Sequence, residues 1–240
     1  MFGYHAVLAA LEREPDRIEL LWLADGAGGP RVRQVLAAAR SAGARFHAVA
    51  KRRLDEIAGG ASHNGVAVRL SPAPLADPAA LLAVRGQVCL FGLDGLEDPH
   101  NLGAVVRTAA AFALGGVVVA GPHPPPLGGA AAKVAAGTLP LVPVARVGSL
   151  GDFARAAKEA GFWVWGAQAG GTPLLDVELP ERLLLCLGAE ATGLRAKTRG
   201  ALDGSVSIPL AAGVESLNLS VAAGILAWEW RRQRTRNARG

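Results

Sequence analysis

Short apolar runs with no polar residue recur along this chain, and they restrict its fold more than any other property. Val88-Cys89-Leu90-Phe91-Gly92-Leu93, Val117-Val118-Val119-Ala120 and Leu183-Leu184-Leu185-Cys186-Leu187 are each apolar throughout. A strand with one face in water alternates polar and apolar residues, whereas an unbroken apolar strand is covered on both faces. Helical stretches are expected between such runs at 102–114, 130–136 and 150–160, with further strands at 141–144, 162–166 and 206–208 and a terminal helix over 216–234. Strand and helix in repeated alternation predict an α/β fold built on a mainly parallel sheet with helices on both faces.

The first seventy residues read as a smaller α/β unit. Helices are expected at 4–11, 30–42 and 51–58, and strands at 18–24, 45–49 and 66–70. Pro30 suits a helix start and Gly43 a helix end. Ser71-Pro72-Ala73-Pro74-Leu75-Ala76-Asp77-Pro78 then brings three prolines within seven residues, a composition suited to a stiff, extended connection. The predicted organisation is therefore 1–70, a linker over 71–85, and a main domain over 86–240.

Charge and cysteine usage narrow the function only modestly. The chain has 240 residues and a formal net charge of +5, which permits a polyanionic partner without requiring one. Cys89 and Cys186 lie within apolar runs and read as buried strand thiols, in keeping with a reducing, cytoplasmic setting. The start of the chain, with His5 and Glu12-Arg13-Glu14, lacks a signal-peptide pattern, and no apolar run has the length of a membrane span. No His/Cys cluster has metal-ligand spacing, and His5 and His63 read as structural residues at domain edges.

Ligands of open α/β sheets bind at the carboxyl ends of the strands. Three segments with unusual residues fall there. The first runs from Leu93-Asp94-Gly95 through Asp98-Pro99-His100-Asn101-Leu102-Gly103 to Arg107. Asn101 can cap the following helix, and Arg107 can be a solvated helix residue. The second is Leu187-Gly188-Ala189-Glu190-Ala191-Thr192-Gly193-Leu194. It has no Lys-Ser/Thr after its second glycine, so it is not a phosphate-binding P-loop, and no GxGxxG follows the strand at 88–93, which leaves a dinucleotide cofactor unsupported. Glycines at 188 and 193 allow close backbone approach to a flat ligand, and Glu190 between them also fits a plain loop carboxylate. The third joins Ile208-Pro209-Leu210 to Gly213-Val214-Glu215-Ser216-Leu217-Asn218-Leu219-Ser220, where Ser216 or Asn218 can cap a helix. Each segment is weak alone.

In this order and spacing the three segments resemble the signature motifs of the SpoU (TrmH) family of the SPOUT superfamily. The resemblance covers residues 88–234 and includes Lys133 with Ala136-Gly137. Ala191 stands where the family usually has Gly, and Leu219 where it often has Val. Gly3-Tyr4-His5-Ala6-Val7 and His63-Asn64-Gly65-Val66 are similar to the amino-terminal domain of the RlmB-like branch, a small ribosomal-protein-like RNA-binding unit.

The resemblance implies a SPOUT-type sheet with a C-terminal trefoil knot formed from about 183–234. Periodicity does not show such a knot, and general fold rules count against one. It implies an S-adenosylmethionine-dependent ribose 2′-O-methyltransferase, with Leu187, Gly188, Ile208, Leu210 and Leu217 around the cofactor. Asn101, Arg107, Glu190, Ser216 and Asn218 are implied at the catalytic site. Arginine stays protonated, so Arg107 suits the role of cationic partner to a developing alkoxide better than that of base. No metal is implied, because the leaving group is a neutral thioether. The implied substrate is RNA, a guanosine of 23S rRNA in the RlmB-like branch. The implied assembly is a homodimer, with Ile225, Leu226, Trp228 and Trp230 as interface candidates. The run 231–236 either meets RNA phosphates or is a solvated tail. The alternatives are a tRNA 2′-O-methyltransferase, a thiostrepton-resistance-type rRNA methyltransferase, and a non-catalytic RNA-binding assembly factor.

Overall fold

The computed structural model describes residues 1–60 and 62–237, excepting the side chains of 236 and 237. It divides into two compact units, Met1–Ala73 and Pro74–Gly240.

In the first unit α1 (Tyr4–Arg13), β1 (Ile18–Ala24), α2 (Pro30–Ser41), β2 (Phe46–Val49), α3 (Lys51–Ala58) and β3 (Val66–Leu70) follow in order. The three strands form one sheet in the order β2-β1-β3, with β1 parallel to β2 and antiparallel to β3. Val7, Leu11, Leu21, Val35, Val66 and Val68 pack as its core. His63 is buried; its Nδ1 accepts from the Gly65 N–H at 3.0 Å, which leaves Nε2 to donate to Asp55 at 2.9 Å. This histidine holds a turn.

In the second unit α4 (Pro78–Ala83), β4 (Val88–Asp94), α5 (Pro99–Ala111), β5 (Gly116–Ala120), α6 (Gly129–Ala135), β6 (Val144–Val147), α7 (Leu150–Glu159), β7 (Trp163–Pro173), β8 (Arg182–Gly188), α8 (Ala196–Arg199), β9 (Gly204–Ser207) and α9 (Leu219–Asn237) follow. Six strands lie in the order β6-β5-β4-β8-β7-β9, and every neighbouring pair is parallel. All residues of β4 and β5 are buried, which accounts for their apolar sequence. The chain moves from β4 outward through β5 to β6, then crosses to the other side of β4 for β7, β8 and β9. Asp94 pairs with Gly188 in register, so the carboxyl ends of β4 and β8 meet where the strand order reverses. Burial pushes the thiols of Cys89 and Cys186 up in pKa.

Several elements differ from the sequence expectation: the linker expected over 71–85 contains helix α4, the strand expected at 162–166 continues to Pro173, and α8 forms where no helix is expected. The strand expected at 141–144 begins only at Val144, because Pro140 and Pro143 have no N–H to give to a ladder, and a 3₁₀ turn (Leu139–Leu141) takes its place. Helix α5 starts at Pro99 and is capped by Asp98, whose carboxylate accepts from the His100 N–H at 2.8 Å. Asn101 lies inside the first turn and is not the cap. The terminal helix begins at Leu219 rather than 216, since Asn218 Oδ1 accepts from the Ser220 N–H at 3.0 Å.

Helix α9 turns Leu219, Ala223, Leu226, Ala227 and Trp230 inward, a stripe at helical spacing. Trp230 Nε1 donates to the Pro180 carbonyl at 3.0 Å, and Gln233 Oε1 accepts from the Leu179 N–H at 2.8 Å. Two arginines of the run are engaged within the protein, and Arg231 is exposed. Arg232 pairs with Glu229 at 2.7 Å, and buried Arg234 donates to the Leu179 carbonyl. The side chain of Arg236 lies outside the described residues.

Candidate active site

The carboxyl end of β4 is organised by one buried carboxylate. Asp94 is 2% exposed, and its Oδ2 accepts from the Arg195 N–H at 2.9 Å and the Thr198 hydroxyl at 2.7 Å. The Asp94 carbonyl also accepts from the Ala189 N–H at 3.1 Å. The loop from β8 to α8 is thereby held against the start of the β4–α5 connection at both of its ends. Within that loop Gly193 donates to the Ala189 carbonyl at 2.7 Å and has φ +62°, a conformation that favours glycine. Gly188 is required for space: a Cβ there would lie 2.1 Å from the Gly193 carbonyl carbon.

The folded loop presents Glu190 to two other segments. Glu190 Oε1 accepts from Asn218 Nδ2 at 2.7 Å, from the Leu219 N–H at 3.1 Å and from Asn101 Nδ2 at 3.3 Å. Asn218 Nδ2 also donates to Asn101 Oδ1 at 3.1 Å. One residue from each of the three sequence segments thus enters a single hydrogen-bonded cluster, exposed to solvent. The Leu219 N–H belongs to the first turn of α9, where the helix end favours an anion. The carboxylate is held by charge-assisted bonds, each stronger than a neutral one.

Beside this cluster is a cleft between the ends of β7, β8 and β9 and the start of α9. Leu187, Gly188, Ile208, Leu210 and Leu217 line it, together with Glu190 and Ser216. The lining is mainly apolar side chains and backbone, which suits a flat, neutral base read by backbone groups. Glu190 and Glu215 also lie along it, so a ligand that carries positive charge meets two carboxylates there. These residues fit S-adenosylmethionine, which combines an adenine with a sulfonium cation.

Two of the expected catalytic residues stand apart from the hydrogen-bonded cluster. Ser216 lines the cleft and makes no bond to Asn101, Glu190 or Asn218 among the described contacts. Arg107 is exposed on α5 with no hydrogen bond or ion pair to any described residue. Six residues of helix separate it from Asn101, about 120° round the axis. Its guanidinium is therefore available to a ligand rather than committed to the protein.

Other contributors were not singled out from the sequence. Ala167, Gln168 and Ala169 line the cleft from a widening in β7, where the register on β9 shifts between Ala167 and Thr172. The signal was Gly170-Gly171 after an apolar strand, a mark of a bulge. Asp94 is a charged residue at the end of a buried strand, and its partners Arg195 and Thr198 are a hundred residues away in sequence. Among the described residues no group of three or more His, Cys, Asp or Glu could hold a metal ion.

Comparison with known proteins agrees with this geometry. The profile of the SpoU rRNA Methylase family matches residues 89–228, and that for RNA 2′-O ribose methyltransferase substrate binding matches residues 1–76. The chain is 40% identical over 237 residues to a Burkholderia 23S rRNA (guanosine-2′-O-)-methyltransferase RlmB, covering 98% of this chain and 96% of that one. It is 37% identical over 239 residues to the RlmB of Salmonella typhimurium, covering 98% of both. An AdoMet-bound rRNA methyltransferase from Sinorhizobium meliloti superposes with a TM-score of 0.79 at 25% identity, over 97% of this chain and 86% of that one.

Proposed function

The chain belongs to the SpoU rRNA methylase family, and from that membership we propose that it transfers a methyl group from S-adenosylmethionine to the ribose 2′-hydroxyl of a guanosine in 23S rRNA. The observation that carries this reading is the meeting of Asn101, Glu190 and Asn218 at the rim of a cleft lined by Gly188, Ile208 and Leu217.

When bound, S-adenosylmethionine supplies an electrophilic methyl group on a cationic sulfur, and a neutral thioether departs. Catalysis then rests on positioning the ribose oxygen and stabilising the charge that develops on it. The apolar lining from Leu187, Ile208, Leu210 and Leu217 excludes water from the base. The Glu190 cluster fixes Asn101 and Asn218, whose amides face solvent where a ribose would lie. Arg107 offers its planar fork of donors to the developing alkoxide and an adjacent phosphate. As the new C–O bond forms and the methyl–sulfur bond breaks, the 2′-hydroxyl passes its proton to solvent water, and Arg107⁺ favours the anionic oxygen through charge without taking that proton. Ser216 lies on the cofactor side.

Residues 1–70 are read as the RNA-binding domain and 86–240 as the catalytic domain; of the expected linker 71–85, the part from Pro74, including α4 and its buried Leu81, goes with the catalytic unit. The match of residues 1–76 to a substrate-binding profile supports the first domain, and the near full-length likeness to 23S rRNA methyltransferases favours an rRNA over a tRNA substrate. The same reading includes a trefoil knot over about 183–234. Its support is the docking of the Leu219 N–H and Asn218 onto Glu190, which brings the start of α9 against the loop after β8. The protein acts as a homodimer. Of the four interface candidates, Leu226 and Trp230 are in the core, Ile225 is half-buried, and Trp228 remains 52% exposed beside Val221 at 50%, one helix face. No described helix is long and apolar enough to cross a membrane, in keeping with work on rRNA in the cytoplasm.

The test is transfer of labelled methyl to 23S rRNA fragments, followed by nuclease digestion and mass spectrometry of the product. One 2′-O-methylguanosine is the expected product. Methylation of a base, of tRNA alone, or no transfer with intact cofactor binding would overturn the reading.

A further inference from the structure

Arg195 sits over the carboxyl ends of two central strands in an arrangement the methyl-transfer chemistry above does not use. Its backbone N–H donates to Asp94 Oδ2 at 2.9 Å, and its Nε lies 3.8 Å from Oδ1, so the inner edge of the guanidinium faces a carboxylate at ion-pair distance. The outer edge lies on bare backbone. An ideal Cβ on Gly95 would be 3.1 Å from Nη2, and one on Gly121 would be 3.6 Å from Nη2 and 3.9 Å from Nη1. These glycines directly follow β4 and β5 and have φ of +79° and +150°, where side chains are disfavoured. The Gly95 N–H donates to the Ala120 carbonyl at 2.8 Å, tying the two strand ends into one platform. Nη1 and Nη2 have no acceptor among the described residues, and the side chain is 45% exposed. A long side chain normally loses rotamer freedom on binding a ligand. Here the contact with Asp94 and the glycine platform restrict that freedom beforehand, and the partly exposed guanidinium keeps donors without a protein acceptor among the described residues.

We propose that Arg195 is a preorganised contact for a backbone phosphate of the substrate RNA, one loop away from the Glu190 cluster. A guanidinium with two free, coplanar donors matches two phosphate oxygens. The position is suited to a phosphate flanking the methylated nucleotide, because the β4–α5 connection that begins at Gly95 leads directly into the first turn of α5, where Asn101 lies. This inference rests on the RNA-methyltransferase reading. It adds a substrate-binding residue from the loop between Gly193 and α8 that cofactor binding does not require.

The experiment compares the full chain with Arg195→Ala, Arg195→Lys and Thr198→Val, using a 23S rRNA fragment and S-adenosylhomocysteine as separate probes. Arg195→Ala is expected to weaken RNA binding about tenfold and to reduce the slope of log affinity against log salt by about 0.7–0.9, the loss of one phosphate contact. Affinity for S-adenosylhomocysteine should hold. Lysine has no Nε to leave on Asp94 while donating outward, so Arg195→Lys should recover little RNA affinity. Thr198→Val loosens the Asp94 latch without touching the guanidinium, and should lower the thermal midpoint with the salt slope intact. An unchanged RNA affinity and slope in Arg195→Ala, or a parallel loss of S-adenosylhomocysteine affinity, would make Arg195 a loop latch only and overturn the proposal. Absence of RNA binding or methyl transfer by the wild-type chain would overturn the functional reading, and this assignment with it. Normal wild-type transfer with an insensitive Arg195→Ala would overturn this assignment alone.

Discussion

Arg107 and Glu190 illustrate two different ways a residue can be tied to a site. Glu190 has three donors on one oxygen and is fixed by the protein itself. Arg107 has no partner among the described residues and gains one only with substrate. Replacing Arg107 by Ala should therefore leave folding and cofactor affinity nearly intact while reducing single-turnover methyl transfer by about 10²–10³, the usual cost of one preorganised donor at a developing oxyanion. Arg107→Lys keeps charge but loses the fork and should recover little. A fall of less than about tenfold, roughly 1.4 kcal/mol, would return Arg107 to the status of a solvated helix residue.

At the scale of elements, the cleft depends on how closely the loop after β8 folds back on itself. A Cβ at Gly188 would meet the Gly193 carbonyl carbon at 2.1 Å, a distance no side-chain adjustment relieves because both atoms are backbone or bonded to it. Gly188→Ala should open the loop, and calorimetry should show cofactor affinity lost with most of the fold retained. Unaltered binding would mean that the cleft is not the cofactor site. Gly103 plays a comparable part between α5 and α6, where its Cβ would be 2.4 Å from the Ala131 carbonyl oxygen.

Helices α7 and α8 are joined by a carboxylate with a measurable pH signature. Lys197 and Ser149 bond Asp152, and Arg155 adds to them, which holds its pKa at about 2 against an ordinary 3.8. A depressed carboxyl pKa stabilises the fold above the unfolded value and loses that contribution as pH falls through the folded one. Asp152→Asn should therefore unfold at lower denaturant than wild type at neutral pH, and the gap should close between about pH 4 and pH 2. A gap independent of pH would show that the bonds, not the charge, matter.

For the whole molecule, the two units have separate cores: Val7, Leu21 and Val66 in one, Leu90, Val118 and Leu184 in the other. The second core includes Leu81 of α4, and the Ala76 N–H donates to the Val144 carbonyl at 2.9 Å. A fragment that starts at Pro74 should accordingly fold and bind S-adenosylhomocysteine, whereas one cut within α4 would expose that core. The Pro74 fragment should lose most of its affinity for 23S rRNA. Binding as tight as that of the full chain would remove the first unit from the role of RNA reader.

The sequence by itself determined the class of fold and the identity of most candidate site residues. Apolar strands such as 88–93 and 183–187 have one physical solution, burial on both faces of a parallel sheet. The resemblance of three segments to the SpoU motifs singled out Asn101, Glu190 and Asn218 without any knowledge of their contacts. Local rules failed where two local solutions competed: Asp98 outbid Asn101 as the cap of α5, and Pro143 delayed a strand that hydropathy alone would start at 141. Tertiary structure decided what depends on contacts distant in sequence. Asp94 meets Thr198 across 104 positions, and Asn101 meets Asn218 across 117. It also decided that Arg234 is buried and bonded to the Leu179 carbonyl and that Arg232 is paired with Glu229, while Arg107 and the outer edge of Arg195 have no protein acceptor among the described residues. A charge count assigns all four the same value; only packing separates those neutralised by the protein from those left for a ligand.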